Sequence, residues 1–268
     1  MRSADTRAGF PEAAAKRIAR AIGPGTATLV LALIVWEAIS LFFLPVIFPG
    51  PLTLLRRMIE IYGDPASWNI VVQSLTRIFA GFAISMIAGI AFGIMMGSRR
   101  DVEIFFDSWI MVLLTVPAVC WAFLCVLWFG ISDVAPIVTI VLIVFPFVVM
   151  NIWEGTKALE KPLIEMGSVY GADRLLMLRK VVIPQLLPYG FSSLRIALSL
   201  SWKIALVAEA FGAGNGVGQQ LINWFQDTRV DMMLAWGVSF MILMVLIDLL
   251  VFRLLARHAF AWRPAVAA

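Results

Sequence analysis

The sequence predicts an all-α polytopic membrane protein, and three observations predict it. Hydrophobic residues make up 62% of the chain and charged residues 14%, with a mean hydropathy of +0.94, whereas about a quarter of a soluble domain is charged. Six apolar runs, 28–48, 70–97, 104–129, 134–153, 187–209 and 230–252, suit a hydrocarbon core that takes about 20 helical residues to cross. The basic residues are also segregated. If the runs cross in turn, one side holds Arg2, Arg7, Lys16, Arg17, Arg20, Arg99, Arg100, Lys157, Lys161, Arg174, Arg179, Lys180, Arg253, Arg257 and Arg263. The other side holds only Arg56, Arg57 and Arg229. Segments rich in Lys and Arg stay in the cytoplasm, so both termini are expected there. The same bias accounts for the net charge of +4, which therefore carries no argument for nucleic-acid binding.

In chain order, residues 1–27 form a polar cytoplasmic tail whose Lys16, Arg17 and Arg20 either lie on anionic lipid or belong to a disordered arm. The first run has no small-residue cleavage site and reads as an uncleaved span; Glu37 inside it is expected to face protein or water. Pro45, Pro49 and Pro51 break the helix, and 52–62 reads as a short amphipathic helix on the outer surface. The second run carries Gly81, Ser85, Gly89, Gly93 and Gly97 at a spacing of four, a ridge of small residues that lets two helix backbones approach closely. Runs three and four contain Pro117, Pro136 and Pro146, the pattern of kinked helices lining a cavity. Cys120 and Cys125, five apart, fall on different faces of a helix, so neither a disulfide nor a metal pair is expected. His258 is the single histidine, which leaves no Cys/His metal cluster.

The fifth run carries a polar stripe. At about 100° per residue, Ser192, Arg195, Ser199, Trp202, Lys203 and Glu209 fall within a sector of about 120°. Two readings stand: a water-filled translocation path, or cations that snorkel to the two interfaces. Phe211 to Gly218 follows as a glycine-alternating outer loop, read as a flexible gate; it lacks the spacing of a phosphate-binding loop. The sixth run holds Asp248, and a tail at 256–268 closes a single transmembrane domain at 28–255.

The stretch from Pro162 to Pro188 is the one long charged, helix-capable segment between spans. Pro162 opens a helix, Gly171 allows a turn, Asp173 caps a second helix from Arg174 to Val182, and Pro184 stops it. The expectation is a helix-turn-helix bracket within a cytoplasmic loop at 156–186.

Glu165, then Gly171, then Ile183-Pro184 resemble the Glu-Ala-Ala loop of permease subunits of binding-protein-dependent ATP-binding-cassette importers. Ser74-Leu75-x-Arg77 with Gly81, Trp128 to Ile131, Val182 to Pro184 with Leu187-Pro188, and Val207 to Ala213 with Gly216-Val217-Gly218 are similar to the nitrate/sulfonate/taurine subfamily. The resemblance covers roughly residues 30–255. Met166-Gly167 depart from it, standing where the motif has two alanines.

The resemblance implies the type I importer fold, a homodimer of six-helix subunits in the bacterial inner membrane. It implies a coupling helix built on Glu165, Met166, Gly167, Gly171, Ala172, Ile183 and Pro184, two separate ATP-binding subunits, and a periplasmic solute-binding protein. The chain has no G-x-x-x-x-G-K-[ST], so ATP and Mg are expected on the partner chain and no cofactor or metal on this one. Arg195 and Lys203 favour a small anion such as a sulfonate, taurine or nitrate. The alternatives are a neutral or cationic solute such as a pyrimidine, and an ATP-independent channel or carrier, which would not need the bracket. An intramembrane enzyme would need a converging nucleophile, base or metal set, and Glu37, Arg77, Arg195, Lys203, Glu209 and Asp248, the ionisable residues expected to be buried, contain no His or Cys partner.

Overall fold

The computed structural model describes residues 26–259. The expected tails at 1–27 and 256–268 fall outside it, apart from the few residues that extend the first and last helices. The helices are α1 (Thr26–Ser40), α2 (Pro51–Gly63), α3 (Pro65–Ser98), α4 (Arg100–Thr115), α5 (Ala118–Phe129), α6 (Val134–Lys157), α7 (Lys161–Val169), α8 (Arg174–Met177), α9 (Ile183–Gly212), α10 (Val217–Gln226) and α11 (Val230–Ala259). No strand occurs among the described residues.

The six-span count is not met as drawn. Among the described residues four helices are long and apolar enough to cross a membrane, Pro65–Ser98, Val134–Lys157, Leu175–Gly212 and Val230–Arg253. The third run is instead α4 and α5, which meet at 96°. The cause is local: Val116 is extended, as a residue before proline prefers, and Pro117 has no N–H to continue α4. Pro136 and Pro146 do not break α6; Pro136 sits in its first turn, where a donor is not required. The first run gives the shorter α1, which ends in turns before Pro45.

Small residues set the tightest packing. A Cβ on Gly81, Gly89, Gly93 or Gly97 would come within 2.8 Å of Ile140, Val148, Ile152 or Thr156 respectively. Each pair is separated by the same 59 positions, so α3 and α6 run parallel and in register over four turns, as the ridge predicts. Helix α9 runs antiparallel to α6: Gly155 lies under Tyr189 at one end, and Gly212 packs beside Ala135 at the other. Ile78, Ile140, Val144, Val148, Ala197 and Ala205 form the buried centre of this three-helix body.

Polar contacts tie on the rest. Glu37 accepts from the Leu52 N–H at 3.3 Å, and Trp36 Nε1 donates to the Pro49 carbonyl at 3.2 Å, so α1 holds the N-terminus of α2. Arg57 and Arg229 both donate to one oxygen of Asp231 in the first turn of α11, at 2.9 and 3.1 Å. Arg57, one of the three cations read as outer-loop charges, therefore clamps α2 to α11, and Arg229 bonds the same carboxylate locally. Bonding to Glu60 and then the nearby carboxylates hold the Arg57 guanidinium above its ordinary pKa, against the opposing effect of burial.

Candidate functional site

The bracket at 162–188 forms largely as its residues dictate. Helix α7 ends at Val169, Gly171 turns the chain at φ +70°, and the Asp173 side chain accepts from the Leu176 N–H at 2.8 Å. The expected stop at Pro184 does not occur. A π-helical turn, Leu178–Val182, follows α8 and runs directly into α9. The widened turn accommodates a proline that cannot donate, and Pro184 falls in the first turn of α9. The second arm of the bracket and the transmembrane helix are thus one continuous rod, which α7 joins through the turn at 170–173. Its root is tied: the Gln185 side chain accepts from the Glu160 N–H at the start of α7, at 2.9 Å.

Of the expected coupling residues, Glu165, Met166, Gly171 and Ile183 are exposed, and Gly167, Ala172 and Pro184 are half-buried. Gly167 packs beside the tip of the Met177 side chain across the bend, and a Cβ there would require that flexible side chain to shift. The outer face of the bracket is apolar, with Met166 53% exposed and Val169 and Tyr170 each 83%. These apolar residues lie outside the long spans and share the bracket surface with exposed Glu165 and Ser168.

The stripe on α9 divides. Ser192, Arg195 and Lys203 are exposed, and Ser199 and Trp202 are half-buried beside them. These five share the open face of the helix. Arg195 stands over the Phe252 ring at 5.8 Å and Lys203 over Trp202 at 5.7 Å. Among the described residues neither cation forms an ion pair. Glu209 is different: it is fully buried and turned toward α3.

Glu209 belongs to a polar knot at the end of the molecule opposite the bracket. Arg77 of α3, 3% exposed, donates from Nη1 to Glu209 Oε1 at 2.9 Å and to the Asn215 carbonyl at 2.7 Å. Its Nη2 bonds Asn215 Oδ1 and Asp133 Oδ1, and its Nε donates to Asp133 at 3.0 Å. Ser74 donates to Glu209 Oε2 at 2.7 Å and accepts from the Val217 N–H at 2.8 Å. The Gly218 N–H reaches Glu209 Oε2 at 3.0 Å, so Ser74 and Glu209 together cap α10. The glycine loop is therefore pinned at several points and not a free flap. Gly216 sits at φ +124°, and a methyl group added there would stand 2.6 Å from Glu209 Oε2.

The helical wheel of α9 could not show this pairing, because Arg77 and Glu209 stand 132 positions apart. The available signal was Arg77 itself, a cation inside an apolar span that requires a carboxylate.

Comparison with known proteins agrees with this architecture. The family described as "Binding-protein-dependent transport system inner membrane component" matches residues 89–261. The taurine transport system permease protein of Escherichia coli (strain K12) is 29% identical over 256 residues, 93% of each chain. A putative aliphatic sulfonates transport permease protein of the same organism is 30% identical, with 82% of this chain and 83% of that one covered. A formylaminopyrimidine transport permease protein of Halalkalibacterium halodurans is 27% identical, covering 76% and 81%. Among solved structures, a chain of the MetNI methionine ABC transporter superposes with a TM-score of 0.63 at 20% identity, covering 73% of this chain and 98% of that one.

Proposed function

This chain belongs to the inner membrane components of binding-protein-dependent transport systems, and on that premise we propose that it forms the translocation path of an ATP-driven importer for a small organic anion of the sulfonate class. The observation that carries the reading is the open face of α9, where Arg195 and Lys203 lie in a span without a carboxylate partner among the described residues. A cation in an apolar span is costly to keep and marks a substrate or ion route. Taurine and sulfonate permeases among the relatives point the same way.

Two copies of the chain face each other across the path, with both termini and the bracket in the cytoplasm of a bacterial cell. A separate ATPase chain grips the apolar face around Met166, Val169 and Tyr170, and its closure drives the bracket. A binding protein delivers solute on the opposite side. The chain itself supplies no hydrolytic group. Its part is to bind, orient and pass the solute.

The test is uptake into proteoliposomes holding the chain with its ATPase and binding protein. Lys203→Ala and Arg195→Ala are each expected to lower sulfonate uptake about tenfold, the loss of a charge-assisted contact, while stimulation of ATP hydrolysis by the loaded binding protein persists. Unchanged uptake in both would remove the path assignment. The formylaminopyrimidine relative supports a second reading, a neutral or cationic solute. In that case the alanine variants would transport the pyrimidine undiminished.

A further inference from the structure

We propose that Arg77 and Glu209 are positioning residues for coupled transport: they anchor the far end of α9, so that a push on the bracket rocks the α3–α6–α9 body as one piece. The inference rests on the importer reading given above.

The rod runs from α8, the second arm of the bracket, through α9 to Glu209 without a break in helix, and α7 is tied to its root by the Gln185–Glu160 bond. From Ile183 to Glu209 it is about 39 Å long at 1.5 Å per residue. A displacement at one end of such a rod becomes rotation or sliding according to how the other end is held. Here that end is held by directional bonds. Arg77 uses all five of its N–H donors, and they reach three separate elements: α9 through Glu209, the start of α6 through Asp133, and the glycine loop through Asn215. Glu209 accepts in turn from α3 through Arg77 and Ser74, and from the first turn of α10 through Gly218.

Stability alone does not account for this arrangement. A buried ion pair is often no more stabilising than well-packed apolar side chains of the same volume. What apolar packing lacks is direction, and a planar guanidinium forked between fixed acceptors supplies it. The knot fixes the azimuth of α9 about its axis, and with it the direction in which Arg195 and Lys203 face. Gly216 and Gly218 leave no room for a Cβ between the loop and the Arg77–Glu209 pair or the α9 backbone. The bracket end is braced as well, by Gln185 on Glu160 and Tyr189 over Gly155.

The experiment uses the full complex in proteoliposomes, with the chain's thermal unfolding as the folding control. The variants are Glu209→Gln, Arg77→Lys and the apolar pair Arg77→Met with Glu209→Met. For any variant that folds and retains its ATPase, the expected result is basal ATP hydrolysis close to wild type and solute moved per ATP reduced about tenfold, the range of a lost coupling network. Two results would overturn the anchor: a folded apolar-pair variant that transports with wild-type stoichiometry, or uptake and hydrolysis that fall together in proportion to the folded fraction. The wild-type control separates the two levels. If it shows no ATP-dependent uptake, the importer reading itself falls and the anchor with it.

Discussion

Gly216 and Gly171 both sit at positive φ, yet an alanine would be felt very differently at the two. At Gly171 the space around a Cβ is open, and the cost is the left-handed conformation alone, about 1 kcal/mol. At Gly216 the methyl would come within 2.6 Å of Glu209 and 2.7 Å of Arg77, adding overpacking to strain for about 3 kcal/mol or more. Thermal unfolding in detergent should therefore show Gly216→Ala well below Gly171→Ala. Asp231 makes a second residue-scale case. Its one bonded oxygen carries both Arg57 and Arg229, and because both cations are partly exposed to solvent, Asp231→Asn should destabilise by about 1 kcal/mol. The Arg57–Glu60 bond should survive that change. Sequence made the cations visible at this scale but not the pairing of Arg57 with Asp231, which lies 174 positions away.

At the scale of elements, what could be read was what depends on near neighbours in the chain. The four-residue spacing of Gly81 to Gly97, the turn at Gly171 and the cap at Asp173 all act within a turn or two of themselves. Pro184 and Pro117 show the limit. Both remove a donor, but at Pro184 a π-helical turn absorbs the defect and the helix runs on, whereas at Pro117 the chain bends by 96°. Neither outcome is contained in the proline. The ridge makes a sharp prediction: in Gly93→Val the Cβ alone would stand 2.8 Å from Ile152 and 2.9 Å from the Val149 carbonyl, and the change should cost about 3 kcal/mol. Gly190→Ala, on α9 with open space around the added methyl, should be neutral or slightly stabilising. Unfolding temperatures of the two variants check this directly.

For the whole molecule, the proposal, read from the distribution of Lys and Arg, is that the bracket lies in the cytoplasm and the knot on the opposite face. Single cysteines on a background with Cys120 and Cys125 replaced test this. In intact cells a membrane-impermeant maleimide should label Thr228→Cys, beside α10, and spare Ser168→Cys on α7. Labelling of Ser168→Cys alone would invert the orientation. The six-run pattern was enough for the class of molecule, and the bent α4–α5 pair is the part of the architecture that composition could not distinguish from a straight crossing.

The parallel register of α3 and α6 also governs the order of assembly. The tightest contacts along that seam join residues 59 positions apart, so α3 is made before the residues that will fill its grooves. At synthesis rates of about 5–20 residues per second, the ridge faces lipid for about 3–12 s. During that interval it offers a close-packing surface to any other small-residue helix nearby. The seam that makes the finished body rigid is, while the chain is being made, its most promiscuous face.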